Sequence, residues 1–311
     1  MTVYYNLQPD EIDFNNPVVT IGSFDGVHLG HRKIFSRVSE IARQKDGEAI
    51  VITFTTHPRK ILTPHTPPRI LTTAREKIRA IENCGMDHIV MLPFTRELAN
   101  LSAQQFLHNI VFYNFGKSHI VIGYDHAFGH NREGNFEFLT QASKREGFDV
   151  TRVDPMDMGS KPVSSSWIRT EIEDGNVEEA ASLLGREYSV SGMVVEGVGR
   201  GRTIGFPTAN IVPDDEDKVI PRDGVYAVKV DMEDGQTHEG MLNIGTNPTF
   251  SNLERSIEVH ILGFNQDIYK QVISIRFVKR IRDEIKFSSV DDLMTQLKKD
   301  RENSLKILRS Q

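Results

Sequence analysis

Residues 22–32 read Gly-Ser-Phe-Asp-Gly-Val-His-Leu-Gly-His-Arg and follow directly on the apolar run Pro17-Val18-Val19-Thr20-Ile21. A strand that feeds a glycine-rich turn and then a helix is a way to hold a triphosphate. Gly22, Gly26 and Gly30 let the main chain approach a ligand where a Cβ would intrude. The helix from His31 to about Lys45 aims unpaired N–H groups and the positive end of its dipole at an anion. His28 and His31, three apart, share one face of the first turn, where both rings meet the same phosphates. Half a metal site is the competing use of such a pair, but no Glu-x-x-His or cysteine cluster completes it.

Three further segments belong with this turn. Thr55-Thr56-His57-Pro58-Arg59 and Gly123-Tyr124-Asp125-His126-Ala127-Phe128-Gly129 each follow an apolar run, which sets them on the same sheet edge. Val163-Ser164-Ser165-Ser166-Trp167-Ile168-Arg169 opens a helix with hydroxyls that either cap it or face phosphate. Arg169 offers a fixed cation for charge growing on a leaving pyrophosphate.

The second half carries another dense motif, Gly197-Val198-Gly199-Arg200-Gly201-Arg202-Thr203-Ile204-Gly205-Phe206-Pro207-Thr208-Ala209-Asn210. Pro207 and the lack of a following βαβ unit argue against a dinucleotide fingerprint. A glycine- and arginine-rich flap beside a rigid Phe-Pro-Thr-x-Asn corner fits better. The flap would close over phosphates, and the Thr208 hydroxyl and Asn210 amide oxygen suit Mg²⁺, a hard cation. Glu258, in the alternating run Ile257-Glu258-Val259-His260-Ile261, is a candidate general base. The plain alternatives are an ordinary turn and a solvent-facing glutamate.

The elements that position these groups come in two rhythms. Val18–Phe24, Ala49–Phe54, His88–Phe94 and His119–Tyr124 read as buried strands. Helical patterns at Arg32–Gln44, Thr73–Cys84 and Ala103–Phe115 separate them. Such alternation predicts a parallel α/β sheet of Rossmann-like type, with ligands beyond the carboxyl ends of its strands. After about Tyr188 come Tyr188–Glu196, Gly224–Met232, His238–Ile244, Ile257–Leu262 and Val272–Val278 without intervening helices, which predicts a small closed antiparallel barrel. Asn176–Gly185 is a short bridging helix, and an amphipathic helix begins near Ser289. The expected domains are 1–186 and 187–311.

Composition narrows the class. The chain has 311 residues, 38% hydrophobic and 26% charged, as in ordinary globular proteins. A net charge of −6 argues against broad binding to nucleic acid or anionic membrane. One cysteine, Cys84, excludes an internal disulfide. With no targeting pattern or membrane-length apolar run, a cytoplasmic protein is expected, a monomer or a weak homo-oligomer.

The His-x-Gly-His turn and the Ser-Ser-Ser-x-x-Arg segment resemble the two signatures of the nucleotidylyltransferase superfamily. The form Gly-x-Phe-Asp-Gly-Val-His-x-Gly-His, with Gly-x-Asp-x-x-Phe-Gly, is similar to the FMN adenylyltransferase module of bacterial bifunctional riboflavin kinase/FAD synthetases. That resemblance implies that His28 and His31 contact ATP phosphates and that Ser165, Ser166 and Arg169 hold the β/γ side. It places Asp125 near the adenosine, with Gly22, Ser23, Phe24, Asp25, Gly30 and Ser164 as further ATP-binding candidates. Ser166 stands where many members have threonine, and Trp167 at a variable position.

Gly-Phe-Pro-Thr-Ala-Asn, Asp223-Gly224-Val225-Tyr226-Ala227, Asn243-Ile244-Gly245-Thr246-Asn247-Pro248-Thr249-Phe250 and Phe277-Val278-x-x-Ile281-Arg282-x-Glu284-x-x-Phe287 resemble riboflavin kinases, whose barrel has six antiparallel strands. By that resemblance Thr208 and Asn210 bind Mg²⁺ and nucleotide phosphate. Glu258 deprotonates the ribityl 5′-hydroxyl, and the loop through Gly199 and Gly201 covers ATP. The implied protein phosphorylates riboflavin with ATP to FMN, then adenylylates FMN to FAD and pyrophosphate.

Three other readings stand beside it. One is an adenylyl- or cytidylyltransferase for another phosphate ester, with an accessory barrel. Another is a flavin-binding regulator without catalysis, and the last is a tRNA synthetase, for which no RNA-binding appendage is seen. Arg69, Tyr124 and His57-Pro58 are candidates for the FMN side of the first domain.

Overall fold

The computed structural model describes residues 1–5, 13–197, 201, 204–248 and 253–310. It divides into two compact units, Met1–Ser165 and Ser166–Gln311. Gly199 lies outside the described residues, as do Thr249 and Phe250.

The first unit is built on six parallel strands: β1 (Thr2–Tyr5), β2 (Val18–Ile21), β3 (Ala49–Phe54), β4 (His88–Leu92), β5 (His119–Gly123) and β6 (Val150–Val153). Their order is β1-β4-β3-β2-β5-β6. The central β2 and β3 are buried along their whole length, with Thr20 and Thr53 the polar residues among apolar neighbours. Alternate side chains serve opposite faces. Val19, Ile21, Ile50 and Ile52 meet Phe106, Leu107, Val111, Phe115 and Leu139 on one side. Val18 and Val51 meet Phe35, Val38, Ile41 and Ile81 on the other.

The expected helices form, with one difference. Between β4 and β5 the helical backbone of Ala103–Phe106 and Tyr113–Phe115 is interrupted by a wider π turn over Leu107–Phe112. Two strands of this six-stranded sheet were not anticipated. β1 is a four-residue strand at the sheet edge and β6 is only partly buried, so neither carries a strong apolar run.

A short hairpin, β7 (Asp157–Met158) with β8 (Lys161–Pro162), precedes the serine segment. In the second unit, the helix Val177–Leu184 leads into β9 (Tyr188–Val195). It is followed by β10 (Ala209–Pro213), β11 (Gly224–Asp231), β12 (Thr237–Pro248), β13 (Leu253–Ile261) and β14 (Val272–Arg282). These six close into an antiparallel barrel in the order β10-β13-β12-β11-β14-β9. The helix Val290–Arg309 packs Leu308 and Ile307 on Ala227, Val278 and Ile281, which covers the outer face of β11 and β14.

Candidate functional sites

In the parallel unit, the turn after β2 is held from three sides. Phe24 and Val27 take left-handed φ values of 45° and 43°, with Gly26 at 85° between them. The Val27 N–H closes the turn on the Phe24 carbonyl at 3.1 Å. Asp25, only 2% exposed, turns its carboxylate inward. It accepts from the Leu71 and Thr72 N–H groups, each at 3.0 Å, and from the Thr72 hydroxyl at 3.2 Å. The Gly26 N–H donates to the same hydroxyl at 3.0 Å. The Asp25 carboxylate is therefore engaged with the 71–72 main chain, while its carbonyl accepts from the Ser165 hydroxyl at 2.8 Å.

The helix after this turn runs Leu29–Gln44, with His28 at the N-cap position in extended conformation. The His28 and His31 rings stack 3.6 Å apart at 21°, and His31 meets the edge of Phe24 at 5.2 Å. Gly30 leaves room for the stack: a Cβ there would sit 3.1 Å from the His28 ring and press on it. The two rings thus form one plate at a helix N-terminus, where donors and dipole favour anions.

Neighbouring loops reach the same carboxyl edge. His57 caps the short helix Pro58–Leu62 by accepting the Arg59 N–H at 3.2 Å, so its ring also has a local task. Lys60, Ile61, Pro64, Phe94 and Arg96 line a hollow of about 400 Å³ between the loops after β3 and β4. Asp125 and Tyr124 are exposed after β5, and Arg132 fastens the loop by donating to the Asp125 carbonyl at 3.0 Å. Burial of the His126 ring, helped by the nearby Arg132 charge, pushes it down to about 4 and keeps it neutral. Ser165 begins the helix Ser165–Asp174. Ser166 and Arg169 lie on that helix one turn apart and belong to the second unit.

In the barrel, Glu258 stands mid-strand on β13 with Ile257 and Val259 turned into the core. Its cross-strand partners are Asn210 on β10 and Asn243 on β12. Each carboxylate oxygen receives a hydroxyl: Thr208 donates to one at 3.3 Å and Ser256 to the other at 3.2 Å. His260 fixes the Phe-Pro-Thr corner by donating from Nδ1 to the Pro207 carbonyl at 2.7 Å.

Gly201 accepts the Phe206 N–H at 2.8 Å, and a Cβ on it would meet the Phe206 carbonyl at 2.2 Å. The Asn210 amide lies directly over Gly197. Thr208, Asn210, Glu258 and Gly201 are therefore one cluster. Beside it opens a cavity of about 360 Å³ lined by Pro207, Thr208, Ala209, Phe264 and Tyr269. The 264–269 loop was not anticipated. Its Phe-Asn-Gln-Asp-Ile-Tyr composition is the available signal, but it reads as an ordinary turn.

A glycine- and histidine-bearing turn on a parallel sheet and a carboxylate–hydroxyl–amide cluster on a closed barrel have the form of two sites of a two-unit transferase. A family model described as FAD synthetase matches residues 10–167, and one described as riboflavin kinase matches residues 184–308. The bifunctional riboflavin kinase/FMN adenylyltransferase of Escherichia coli (strain K12) is 38% identical over 283 residues, covering 91% of this chain and 90% of the relative. The enzyme of the same description from Listeria monocytogenes is 38% identical over 304 residues, covering 97% and 96%. A crystal structure from Streptococcus pneumoniae, described as a macrolide-efflux protein, superposes with a TM-score of 0.87 at 35% identity, covering 97% of this chain and 98% of that one. No helix among the described residues of this chain is long and apolar enough to cross a membrane.

The chain belongs to the bifunctional riboflavin kinase/FMN adenylyltransferase family. It phosphorylates riboflavin with ATP to give FMN, and joins FMN to AMP from a second ATP to give FAD. Riboflavin, FMN and ATP are its substrates.

Proposed function

We propose that the barrel cluster is the kinase site and the histidine turn the adenylyltransferase site. In the barrel, Glu258 takes the proton of the ribityl 5′-hydroxyl as that oxygen attacks the γ-phosphorus of ATP and ADP leaves. The observation that carries this reading is the pair of hydroxyl bonds that aim the Glu258 carboxylate, with Asn210 and Asn243 opposite it. A base must be held in reach of its proton before its basicity matters. The cavity beside Thr208 has room for a heteroaromatic ring, with Phe264 and Tyr269 to stack on it and Asn265, Gln266 and Asp267 to meet its polar edge.

Thr208 and Asn210 offer the oxygen donors that Mg²⁺ prefers, and Mg²⁺ needs few protein ligands because it keeps waters and substrate phosphates. Bound there, it would neutralise phosphate charge. Gly201, and Gly199 with it, would let the flap main chain close over the nucleotide.

In the parallel unit, a phosphate oxygen of FMN attacks the α-phosphorus of ATP and pyrophosphate departs. No covalent intermediate with the chain is required, because positioning and charge stabilisation carry such reactions. His28 and His31 donate to the phosphates from their stacked plate. Gly22, Ser23, Phe24, Asp25 and Gly30 shape the main chain around them, and Asp125 faces the adenosine. Ser164, Ser165 and Ser166, with Arg169 one helical turn on, hold the β and γ phosphates. Ile61 and Phe94, flanked by Lys60 and Arg96, suit an aromatic phosphate ester such as FMN.

The domain assignment that accompanies this is 1–186 for adenylyl transfer and 187–311 for the kinase. The acidic balance and single cysteine support a cytoplasmic enzyme that binds neither nucleic acid nor membrane and works as a monomer or weak homo-oligomer. The reading is tested by assaying each half-reaction alone in Glu258→Ala and His31→Ala. Each variant should lose one reaction and keep the other.

A further inference from the structure

Lys77 is a buried cation that neither reaction, as described above, uses. It sits in the helix Ala74–Glu82 with 5% of its surface exposed. Its Nζ donates to the Phe54 carbonyl at 3.1 Å and to the Thr53 hydroxyl at 3.4 Å, at the carboxyl end of β3. Thr53 is fully buried, and its hydroxyl in turn donates to the Ser23 carbonyl at 3.1 Å. An ammonium can only donate, so it orients the relay one way: the Thr53 proton must go to Ser23.

We propose that Lys77 is a positioning residue for adenylyl transfer, holding the Ser23–Phe24 peptide of the histidine turn through the Thr53 hydroxyl. The peptide is planar and trans, so fixing the Ser23 carbonyl toward β3 points the Phe24 N–H the opposite way. Phe24 supports the His31 ring, and its left-handed backbone depends on that peptide plane. The inference rests on the turn being the ATP site.

Burial pushes Lys77 down to about 8, and the Asp25 charge partly offsets this. Asp25 is the charged group that acts on it from the turn. Glu76, on the same helix, is turned back to cap the Thr73 N–H at 3.0 Å, and β3 contributes neutral oxygens. The ammonium is therefore charged below about pH 8 and lost above it.

Lys77→Met keeps the length of the side chain and removes the charge. FAD synthesis from FMN should lose roughly tenfold in kcat/KM for ATP, a misplacement effect, while FMN formation from riboflavin is unchanged. The wild-type adenylylation profile should fall above about pH 8, and Lys77→Met should lack that limb. Thr53→Val, nearly isosteric, should reproduce the loss with the lysine intact. The proposal is overturned if Lys77→Met stays within about twofold of wild type, if both activities fall equally, or if the alkaline limb survives in it. Should Lys77→Met not accumulate as folded protein, Thr53→Val decides by the same criterion. His31→Ala run in parallel separates the levels: unchanged FAD synthesis there withdraws the ATP assignment of the turn, whereas an inactive His31→Ala beside a normal Lys77→Met withdraws only the role of Lys77.

Discussion

Thr208 and Glu258, fifty residues apart in the chain, meet at 3.3 Å where the start of β10 crosses the middle of β13. The hydroxyl has two tasks in the proposed kinase site: it orients the base, and it offers an oxygen to Mg²⁺. Thr208→Val should therefore lower FMN formation by about 10²-fold or more, while Thr208→Ser retains most of it. Titrating Mg²⁺ in the kinase assay checks the second task. The valine variant should need more metal for half-maximal rate, and an unchanged requirement would confine Thr208 to orienting Glu258.

Gly30 tests the histidine plate without removing a histidine. A Cβ at this position would stand 3.1 Å from the His28 ring, and larger side chains would push further. Gly30→Val should displace His28 and reduce FAD synthesis roughly tenfold or more while sparing the kinase. Steady-state assays of the two half-reactions measure this directly.

Asp300 tests how the terminal helix is anchored. Its carboxylate, 1% exposed, receives Arg282 at 2.7 Å and Gln296 at 2.8 Å. Asp300→Ala removes the carboxylate from the mostly buried guanidinium, which still donates to the Asp283 carbonyl at 2.8 Å, and should cost about 3 kcal/mol. Asp300→Asn keeps an acceptor and should cost less. Denaturant unfolding followed on the barrel transition distinguishes the two.

His126 gives a pH dependence of stability. Burial holds its ring near 4, below the ordinary value of 6.5. Its stabilising contribution is complete above about 6.5. It declines as the pH falls toward 4, because the unfolded chain binds a proton that the folded one refuses. His126→Gln should flatten this part of the acid limb. Thermal melts of both proteins at a series of pH values provide the comparison.

Much of the architecture was legible because it rests on local pattern. The short runs Val18–Ile21 and Ala49–Phe54, rich in β-branched residues, read as interior parallel strands, and the alternation at Ile257–Ile261 placed Glu258 opposite the core-facing side. β10 was missed because Pro207 and its polar neighbours read as a corner, yet the chain extends immediately afterwards to pair with β9 and β13. Short β1 and partly exposed β6 lack the contrast a strand needs to stand out.

At the sites, spacing put His28 beside His31 and set Thr208 near Asn210. It gave no hint that the Asp25 carboxylate would turn to Leu71 and Thr72, or that Lys77 would lie beneath the turn. Those contacts span 46 and 24 residues, a separation that local sequence pattern does not reach.

The separation of the kinase and adenylyltransferase sites on one chain underlies every residue role proposed above. It is tested most directly by giving Glu258→Ala and His31→Ala, separately and mixed, riboflavin, ATP and Mg²⁺, then separating FMN and FAD by chromatography. Glu258→Ala alone should leave riboflavin unconverted, yet turn supplied FMN into FAD. His31→Ala alone should stop at FMN, and the mixture should restore FAD. FMN made by Glu258→Ala, or FAD made by His31→Ala, would contradict the assignment.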